Sequence, residues 1–293
     1  MRIPILTYHD LDEASSPVSV SPAIFERHLI RLRTAGYRVV TLSEALARLG
    51  LDSPGKPLLA VMTFDDGYAA VHEVALPLLA AQGWRATVFA VTEYVGRPNR
   101  WPGQSPAVSE ARLMDWSELR ELSALGWEIG AHTRSHPDLR LLNDGDLSEE
   151  TLGAKAVLED RLGQPVRTFA YPYGSVDRRV RSQVRKIFHA ACGTEMGIAD
   201  EQSDRSVLER VDMWYFSHPG ACDLLGTPLA GPYIRLCHLA RRTGAWLRSP
   251  QRQDRLVRRI LLNDRSEPTR APTEQLGHCG GRVQTEKEVP PKR

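Results

Sequence analysis

Strand-like apolar runs alternate with segments of helical period almost from the start of the chain. The clearest of them, Leu58–Phe64, is a continuous apolar run without alternation, which is typical of a strand buried on both faces. The predicted strands are Ile3–Thr7, Tyr37–Val40, Leu58–Phe64, Ala86–Val91, Trp127–Gly130, Thr168–Ala170, His189–Cys192 and Leu208–Val211. The predicted helices are Pro22–Ala35 after a Ser21 cap, Ser43–Leu49, Ala69–Ala81, Ser148–Leu162, Val176–Phe188, and one that begins with a capping box at Asp115–Glu118 and stops at Gly126.

Strands that alternate with helices at this spacing predict an α/β fold with a parallel sheet, either doubly wound or closed. About seven strand–helix units favour the closed form, a distorted (β/α)7-type barrel over residues 1–230. The chain contains no GxGxxG and no GxxxxGK[ST] motif, so nothing in it indicates dinucleotide or P-loop chemistry.

The pattern changes after about Gly231. Residues 231–262 predict a basic amphipathic helical extension, and residues 263–293, poor in apolar side chains, predict a disordered tail. From Arg235 onward the chain has fourteen Lys and Arg against six Asp and Glu, although its net charge is only +2. The extension either packs on the barrel with a solvated arginine face or lies on anionic lipid through Arg235–Leu262. No nucleic-acid motif accompanies its arginines, so we expect no nucleic-acid partner.

The N-terminal apolar stretch is short. Ile3–Leu6 is broken by Pro4 and lacks the length and cleavage site of a secretory signal, so we expect a cytoplasmic protein, with attachment at the inner membrane face as the alternative. No apolar run approaches the roughly 18 residues of a membrane-spanning helix. The four cysteines are widely scattered and include no CxxC pair, which suits reduced thiols.

Two carboxylates, Asp65 and Asp66, follow the buried strand Leu58–Phe64 directly. Adjacent buried carboxylates raise each other's pKa, a penalty that a bound cation would remove. Asp-Asp-Gly is also a common turn sequence, so the motif alone leaves a plain turn open. The carboxyl ends of parallel strands are where such folds place their sites.

Two histidines, His132 and His136, follow the predicted strand Trp127–Gly130. At this spacing they would share one face of a helical turn and could bind one metal ion. Two imidazoles and a carboxylate with open positions are typical of a catalytic metal site. A third motif, Phe169–Gly174, places Pro172 between two tyrosines in a tight turn that could aim a backbone N–H into the same site.

The three motifs Thr63–Gly67, His132–His136 and Phe169–Gly174 occur in the order and approximate spacing of the polysaccharide deacetylase family, the NodB-homology carbohydrate esterases of family 4. The resemblance covers roughly Ile3 to Val211. It implies a distorted barrel, a divalent metal ion and hydrolysis of N-acetyl groups from N-acetylglucosamine-type sugars. The segments Leu6–Asp10 and Asn99–Trp101 further resemble the subgroup that acts on poly-N-acetylglucosamine.

The resemblance also implies the site residues. Asp66, His132 and His136 correspond to the metal ligands, and the metal is most often zinc in this family, although cobalt, nickel or iron also suit the ligand set. Asp65 corresponds to the general base, and the backbone N–H of Tyr173 to an oxyanion donor. Apart from the resemblance, aromatic faces suit pyranose rings, so Trp101, in a loop with proline and glycine, is an expected substrate-binding residue, and Pro172 is the other.

The chain departs from the family pattern in two places. Many members brace the catalytic aspartate with an arginine where this chain has Ala170, and the sequence leaves open whether Arg167 takes its place. Many members also supply the general acid from a late Leu-x-His, of which no clean copy occurs here. His9, at the end of the first strand, is preferred as the acid over His218.

We therefore expect a metal-dependent hydrolase of amide C–N bonds that deacetylates an N-acetylated glycan of the exopolysaccharide type or its precursor. One alternative is an amidohydrolase acting on a non-polymeric N-acyl compound on the same barrel. The other is a glycan-binding relative without catalysis, against which the complete set of ligand positions argues.

Overall fold

The computed structural model describes residues 2–14, 16–50 and 57–242. Its strands lie close to the predicted positions, and the clearest prediction, Leu58–Phe64, is confirmed residue for residue. The strands are β1 (Arg2–Ile3), β2 (Ile5–Tyr8), β3 (Tyr37–Val40), β4 (Leu58–Phe64), β5 (Thr87–Ala90), β6 (Glu128–Ala131), β7 (Thr168–Ala170), β8 (Ala190–Met196), β9 (Ala199–Asp200) and β10 (Leu208–Asp212).

Seven parallel strands close into a barrel in the order β2, β10, β8, β7, β6, β5 and β4, and β4 pairs again with β2. Strand β3 pairs with the first half of β4, and β1 forms a separate antiparallel pair with β9. The prediction of a distorted (β/α)7-type barrel is confirmed. Because the strands are parallel, their carboxyl ends meet at one end of the barrel, where the chemistry-bearing motifs emerge.

Helices surround the barrel. They are α1 (Pro22–Thr34), α2 (Leu42–Arg48), α3 (Leu76–Ala80), α4 (Trp116–Ala124), α5 (Asp144–Ser148), α6 (Ala154–Leu162), α7 (Arg178–Ile187), α8 (Pro219–Cys222) and α9 (Ala230–Arg242). The predicted Ser21 cap of α1 is present, as is the capping box of α4, in which Asp115 and Glu118 each accept a backbone N–H.

Two predicted helices are regular only in part, and in one of them, Ser148–Leu162, residues Glu149–Gly153 form a π-helical turn. Within the predicted Ala69–Ala81, residues Val71–Ala75 form a π-helical turn before α3 begins. Pro77 has no N–H for the carbonyl four residues earlier, and its ring would crowd that carbonyl in an α-helix. The wider π turn immediately before it relieves the conflict.

The C-terminal extension is described only as far as Arg242, in helix α9. Tyr233, Ile234 and Cys237 of α9 are buried, and the Tyr233 hydroxyl donates a hydrogen bond to the Tyr215 carbonyl. The described part of the extension therefore packs its apolar face on the barrel, and membrane contact gains no support from it. Residues 243–262 of the proposed extension and the tail at 263–293 lie outside the described residues, so these boundaries stay predictions.

None of the helices in the described ranges is long and apolar enough to cross a lipid bilayer. The three cysteines in these ranges, Cys192, Cys222 and Cys237, are buried free thiols, in keeping with the expectation from their spacing.

The buried His28 makes the stability of the barrel depend on pH. Tyr8 Oη lies 3.1 Å from His28 Nδ1 and the Phe216 carbonyl lies 3.0 Å from Nε2, so both nitrogens of the neutral ring are paired. Burial lowers the pKa of His28 from an ordinary 6.5 to about 4. Because the unfolded chain binds this proton more readily, the contribution of His28 is complete above pH 6.5 and is lost as the pH falls towards 4.

We expect the free energy of unfolding of wild type, relative to that of His28→Gln, to shrink by about 3 kcal/mol between pH 7 and pH 4. Urea unfolding of both proteins at several pH values measures this difference. Burial raises the pKa of Asp10 to about 6, so Asp10 adds stability as the pH falls, in the opposite direction to His28. Because wild type and His28→Gln share this contribution, it cancels in the difference between them. A difference that stays constant with pH would show that His28 is not the titrating group.

Candidate active site

Three buried side chains at the carboxyl ends of β4 and β6 point at one another. Asp66 Oδ1 lies 3.3 Å from Nε2 of His132 and 3.3 Å from Nε2 of His136. Two ligand atoms placed about 2.1 Å from a tetrahedral ion are about 3.4 Å apart, so these distances match ligands that share one ion.

The tautomer of His132 supports a cation at this position. Its Nδ1 lies 2.8 Å from the Ala170 carbonyl, which only accepts hydrogen bonds, so the proton of a neutral ring is on Nδ1 and Nε2 offers a lone pair. Asp66 Oδ1, which that lone pair faces, is buried and makes no hydrogen bond with any of the described residues. The donor set of Asp66, His132 and His136 therefore fits a divalent metal ion.

The loop between the two histidines is not the helical turn that their spacing predicts. It is irregular, and both Thr133 and His136 have positive φ, at 69° and 63°. Thr133 Oγ1 accepts the His136 N–H at 3.0 Å, and Glu150 accepts the backbone N–H groups of Arg134 and Ser135. The helical-turn prediction was wrong in conformation, although the two rings do converge on one point.

Asp65 is held by an arginine that sequence analysis did not identify. Arg210 of β10 donates to both Asp65 oxygens at 2.7 Å, and its Nε donates to the Gly193 carbonyl at 2.8 Å. Burial alone would raise the pKa of Asp65, but the charge and hydrogen bonds of Arg210 outweigh it and hold that pKa below its usual value. Arg167, whose part as a replacement the sequence left open, precedes the first residue of β7 at the opposite end of the barrel.

The preferred general acid lies beside this pair. His9 follows β2, its Nε2 is 3.9 Å from Asp65 Oδ2, and its side chain is 26% exposed. His9 lines the same cavity as Asp65, Asp66 and His136, whereas His218 is not among the residues that line it. The structure thus brings His9 to the site and leaves His218 on the approach to α8.

The turn after β7 also reaches the cavity. Tyr173 has φ 58° and ψ 2°, and its ring lies 4.6 Å from that of His136. Within the turn, the Gly174 N–H binds the Tyr171 carbonyl and the Ser175 N–H binds the Pro172 carbonyl. The Tyr173 N–H takes part in neither of these two bonds. An N–H group that is to donate to a bound ligand must not be used within the turn, and Tyr173 meets this requirement there.

Comparison with known proteins agrees with this arrangement. The family model described as polysaccharide deacetylase matches residues 52–190, which include all three motifs. The chain therefore resembles the polysaccharide deacetylase family over slightly less than half of its length. Its metal-ligand candidates and its Asp65 lie inside the matched range, whereas His9 and Arg210 lie outside it.

Two relatives show how far the similarity within the family extends. YxkH of Bacillus subtilis, named as a polysaccharide deacetylase, is 26% identical over 211 residues, which are 72% of this chain and 71% of that protein. The poly-β-1,6-N-acetyl-D-glucosamine N-deacetylase of Staphylococcus aureus is 29% identical over 167 residues, which are 53% of this chain and 54% of that protein. The chain therefore spans about half the length of the staphylococcal deacetylase.

Among solved structures, IcaB of Ammonifex degensii superimposes with a TM-score of 0.62 at 26% identity, covering 77% of this chain and 95% of that one. The fold shared with IcaB thus covers most of this chain.

The two expected substrate-binding residues differ in where the structure places them. Trp101 lines the cavity, but its ring is only 3% exposed and packs 4.4 Å from that of His136, so it presents little free surface for a sugar to stack on. Pro172 is buried inside the turn and is not among the lining residues, whereas the side chain of its neighbour Tyr173 is. Their substrate-binding roles stay predictions.

Proposed function

We propose that this protein hydrolyses N-acetyl groups from a glycan of the N-acetylglucosamine type. The observation that carries the proposal is the buried cluster of Asp66, His132 and His136 beside the Arg210-braced carboxylate of Asp65. The activity named for the Staphylococcus relative, deacetylation of poly-β-1,6-N-acetyl-D-glucosamine, supports the substrate class. A cavity of about 380 Å³ over the cluster is large enough for an acetamido sugar.

Asp66, His132 and His136 would hold one divalent metal ion, with zinc the first choice for this family. When bound, such an ion supplies a Lewis acid that polarises the acetamide carbonyl and makes water more acidic. Three protein ligands leave coordination positions for substrate and water, as in catalytic rather than structural sites.

In this proposal, Asp65 accepts the proton of the attacking water. Arg210 occupies one lone pair on each carboxylate oxygen and fixes the plane of the carboxylate, and each oxygen keeps a second lone pair for the water proton. The Tyr173 N–H donates to the oxygen of the acetyl group as negative charge develops there, a contribution of about 3 kcal/mol for one well-placed donor.

His9 completes the reaction by donating a proton to the leaving amine nitrogen. Its ring lies next to Asp65, and histidine is the side chain that most often transfers protons in enzymes. The products are acetate and the free amino sugar.

The metal site can be tested without knowing the glycan. We expect purified wild type to contain about one equivalent of divalent metal per chain and His132→Ala to lose it, since two of three ligands hold an ion poorly. Elemental analysis after dialysis measures this. His72→Ala is the matched control, because His72 pairs with Glu121 on the surface and should leave the metal content unchanged.

Acetate release from N-acetylated glycans and from small N-acyl compounds then tests the substrate. Release from a β-1,6-linked N-acetylglucosamine pentamer supports the proposal, and release only from small N-acyl compounds would replace it with the amidohydrolase alternative. A wild-type protein that binds no metal after reconstitution and releases no acetate would indicate a glycan-binding relative without catalysis.

A further inference from the structure

One wall of the cavity is a long loop fastened directly beside the two aspartates. Within this loop, residues 97–114, the Asn99 N–H binds the Ala111 carbonyl at 3.1 Å. The Ala69 N–H binds the Arg112 carbonyl at 2.9 Å, and the Met114 N–H binds the Gly67 carbonyl at 2.8 Å. The loop is therefore tied along its base to the segment that follows Asp65 and Asp66.

A buried asparagine fixes a tyrosine at this junction. Asn99 Oδ1 accepts the Ala111 N–H at 2.9 Å, which identifies the other end of the side chain as the amide nitrogen. That nitrogen donates to the Ser109 carbonyl at 3.0 Å and to the Tyr68 hydroxyl at 2.9 Å. Both protons of the amide are used, so the Tyr68 oxygen is the acceptor in its bond with Asn99.

The hydroxyl hydrogen of Tyr68 consequently needs an acceptor of its own. Tyr68 is 1% exposed and lines the cavity that contains Asp66 and His136. Among the described residues, the hydrogen bond from Asn99 is the one contact within hydrogen-bond range that the Tyr68 hydroxyl makes. A buried donor without an acceptor is unfavourable, so an acceptor that arrives with a ligand would stabilise the site.

A second buried donor belongs to the same loop. The side-chain amide nitrogen of Gln104 is buried and has no hydrogen-bond partner among the described residues, and Gln104 lines the cavity with Tyr68. The lining contains no lysine or arginine, while Asp65 and Asp66 carry negative charge. Two neutral donors in an otherwise acidic cavity match the uncharged oxygens of a sugar better than an anion.

We propose that Tyr68, held in position by Asn99, and Gln104 donate hydrogen bonds to hydroxyl or acetyl oxygens of the glycan and position it against the metal ligands. This inference rests on the proposed function, because it assigns the residues that orient the substrate of that reaction. Both act as positioning residues, and neither takes part in the proton transfers.

Tyr68→Phe tests the hydroxyl alone. With the β-1,6-linked N-acetylglucosamine pentamer as substrate, we expect KM to rise about three- to tenfold while kcat stays within about twofold of wild type, because the bond is made equally in ground and transition states. Metal content and Tm should not change. Tyr94→Phe is the matched control, since the Tyr94 hydroxyl binds the Arg100 carbonyl on the outside of the same loop.

Asn99→Asp tests the direction of the hydrogen bond. A carboxylate at this position accepts the Tyr68 hydrogen, which turns the hydroxyl away from the substrate and should reproduce the KM increase of Tyr68→Phe. The double variant should then be no worse than the more affected single variant. Gln104→Leu should also raise KM, and its effect should add to that of Tyr68→Phe or Asn99→Asp.

The outcomes separate this inference from the proposed function. If wild type deacetylates the pentamer but folded Tyr68→Phe keeps the wild-type KM, the positioning role is wrong and the proposed function stands. A lower Tm in Tyr68→Phe with unchanged KM would reduce the Asn99–Tyr68 pair to a loop brace. If the metal-loaded wild-type protein releases no acetate from the pentamer, the proposed function fails and the positioning role fails with it.

Discussion

Replacement of Asp65 by asparagine is expected to lower kcat by about 10²- to 10⁴-fold, the usual contribution of a positioned general base. Asparagine keeps the shape of the side chain and one oxygen for the guanidinium of Arg210, but it cannot accept a proton from water near neutral pH. Metal content should remain at the wild-type level, because Asp66 and not Asp65 faces His132 and His136. Steady-state acetate release and elemental analysis of the same preparation measure both quantities.

Two further variants make this result specific. Asp66→Asn should lose metal and activity together, which distinguishes a ligand from a base. Asp177→Asn, at the N-cap of α7, should leave both unchanged because asparagine caps a helix as well as aspartate does. Full activity in Asp65→Asn would assign the base to another group, and His9 would be the first to examine.

The convergence of the metal-ligand candidates could be predicted from the sequence because each lies next to a strand end. Asp66 lies two residues beyond the end of β4, and His132 follows β6 at once. In a parallel barrel those ends share one rim, so a correct strand prediction brings the two motifs together without any knowledge of side-chain contacts. The same reasoning placed His9, which follows β2.

The conformation of the histidine loop could not be read in this way. Spacing of i and i+4 predicts a helical turn, yet Thr133 and His136 adopt positive φ, which residues other than glycine take up only when surrounding contacts hold them. Those contacts come from Glu150, on a helical segment that the sequence places simply as the start of another helix. The local sequence pattern favours a helical turn, but the tertiary contacts determine the conformation of this loop.

Arg210 was missed for a related reason. It pairs with Asp65 across 145 residues of sequence, and no spacing rule reaches that far. The signal that was available is the residue type itself, since a charged side chain inside the short predicted strand Leu208–Val211 must find a partner if it points inward. A family pattern that expects the bracing arginine near Ala170 directs attention to the wrong strand.

Arg210→Met is expected to lower the free energy of unfolding by about 3–5 kcal/mol, because it leaves the buried carboxylate of Asp65 without its compensating charge. Methionine fills a similar volume but offers no donor, so Asp65 either stays charged in a poor environment or becomes protonated. Its pKa should rise in consequence, and activity should fall with it, since a protonated carboxyl is no base. Urea unfolding in the presence of chelator, which removes the stabilisation from bound metal, measures the stability.

A double-mutant cycle identifies the cause of this loss. Arg210→Met combined with Asp65→Asn removes both charges, so the double variant should be markedly more stable than Arg210→Met alone. If instead the double variant loses as much as the two single variants together, the loss in Arg210→Met comes from packing around β10 and not from the unpaired charge. Arg210 would then hold the strand in place, and the orientation of Asp65 would have to depend on other neighbours such as His9, whose Nε2 lies 3.9 Å from Asp65 Oδ2.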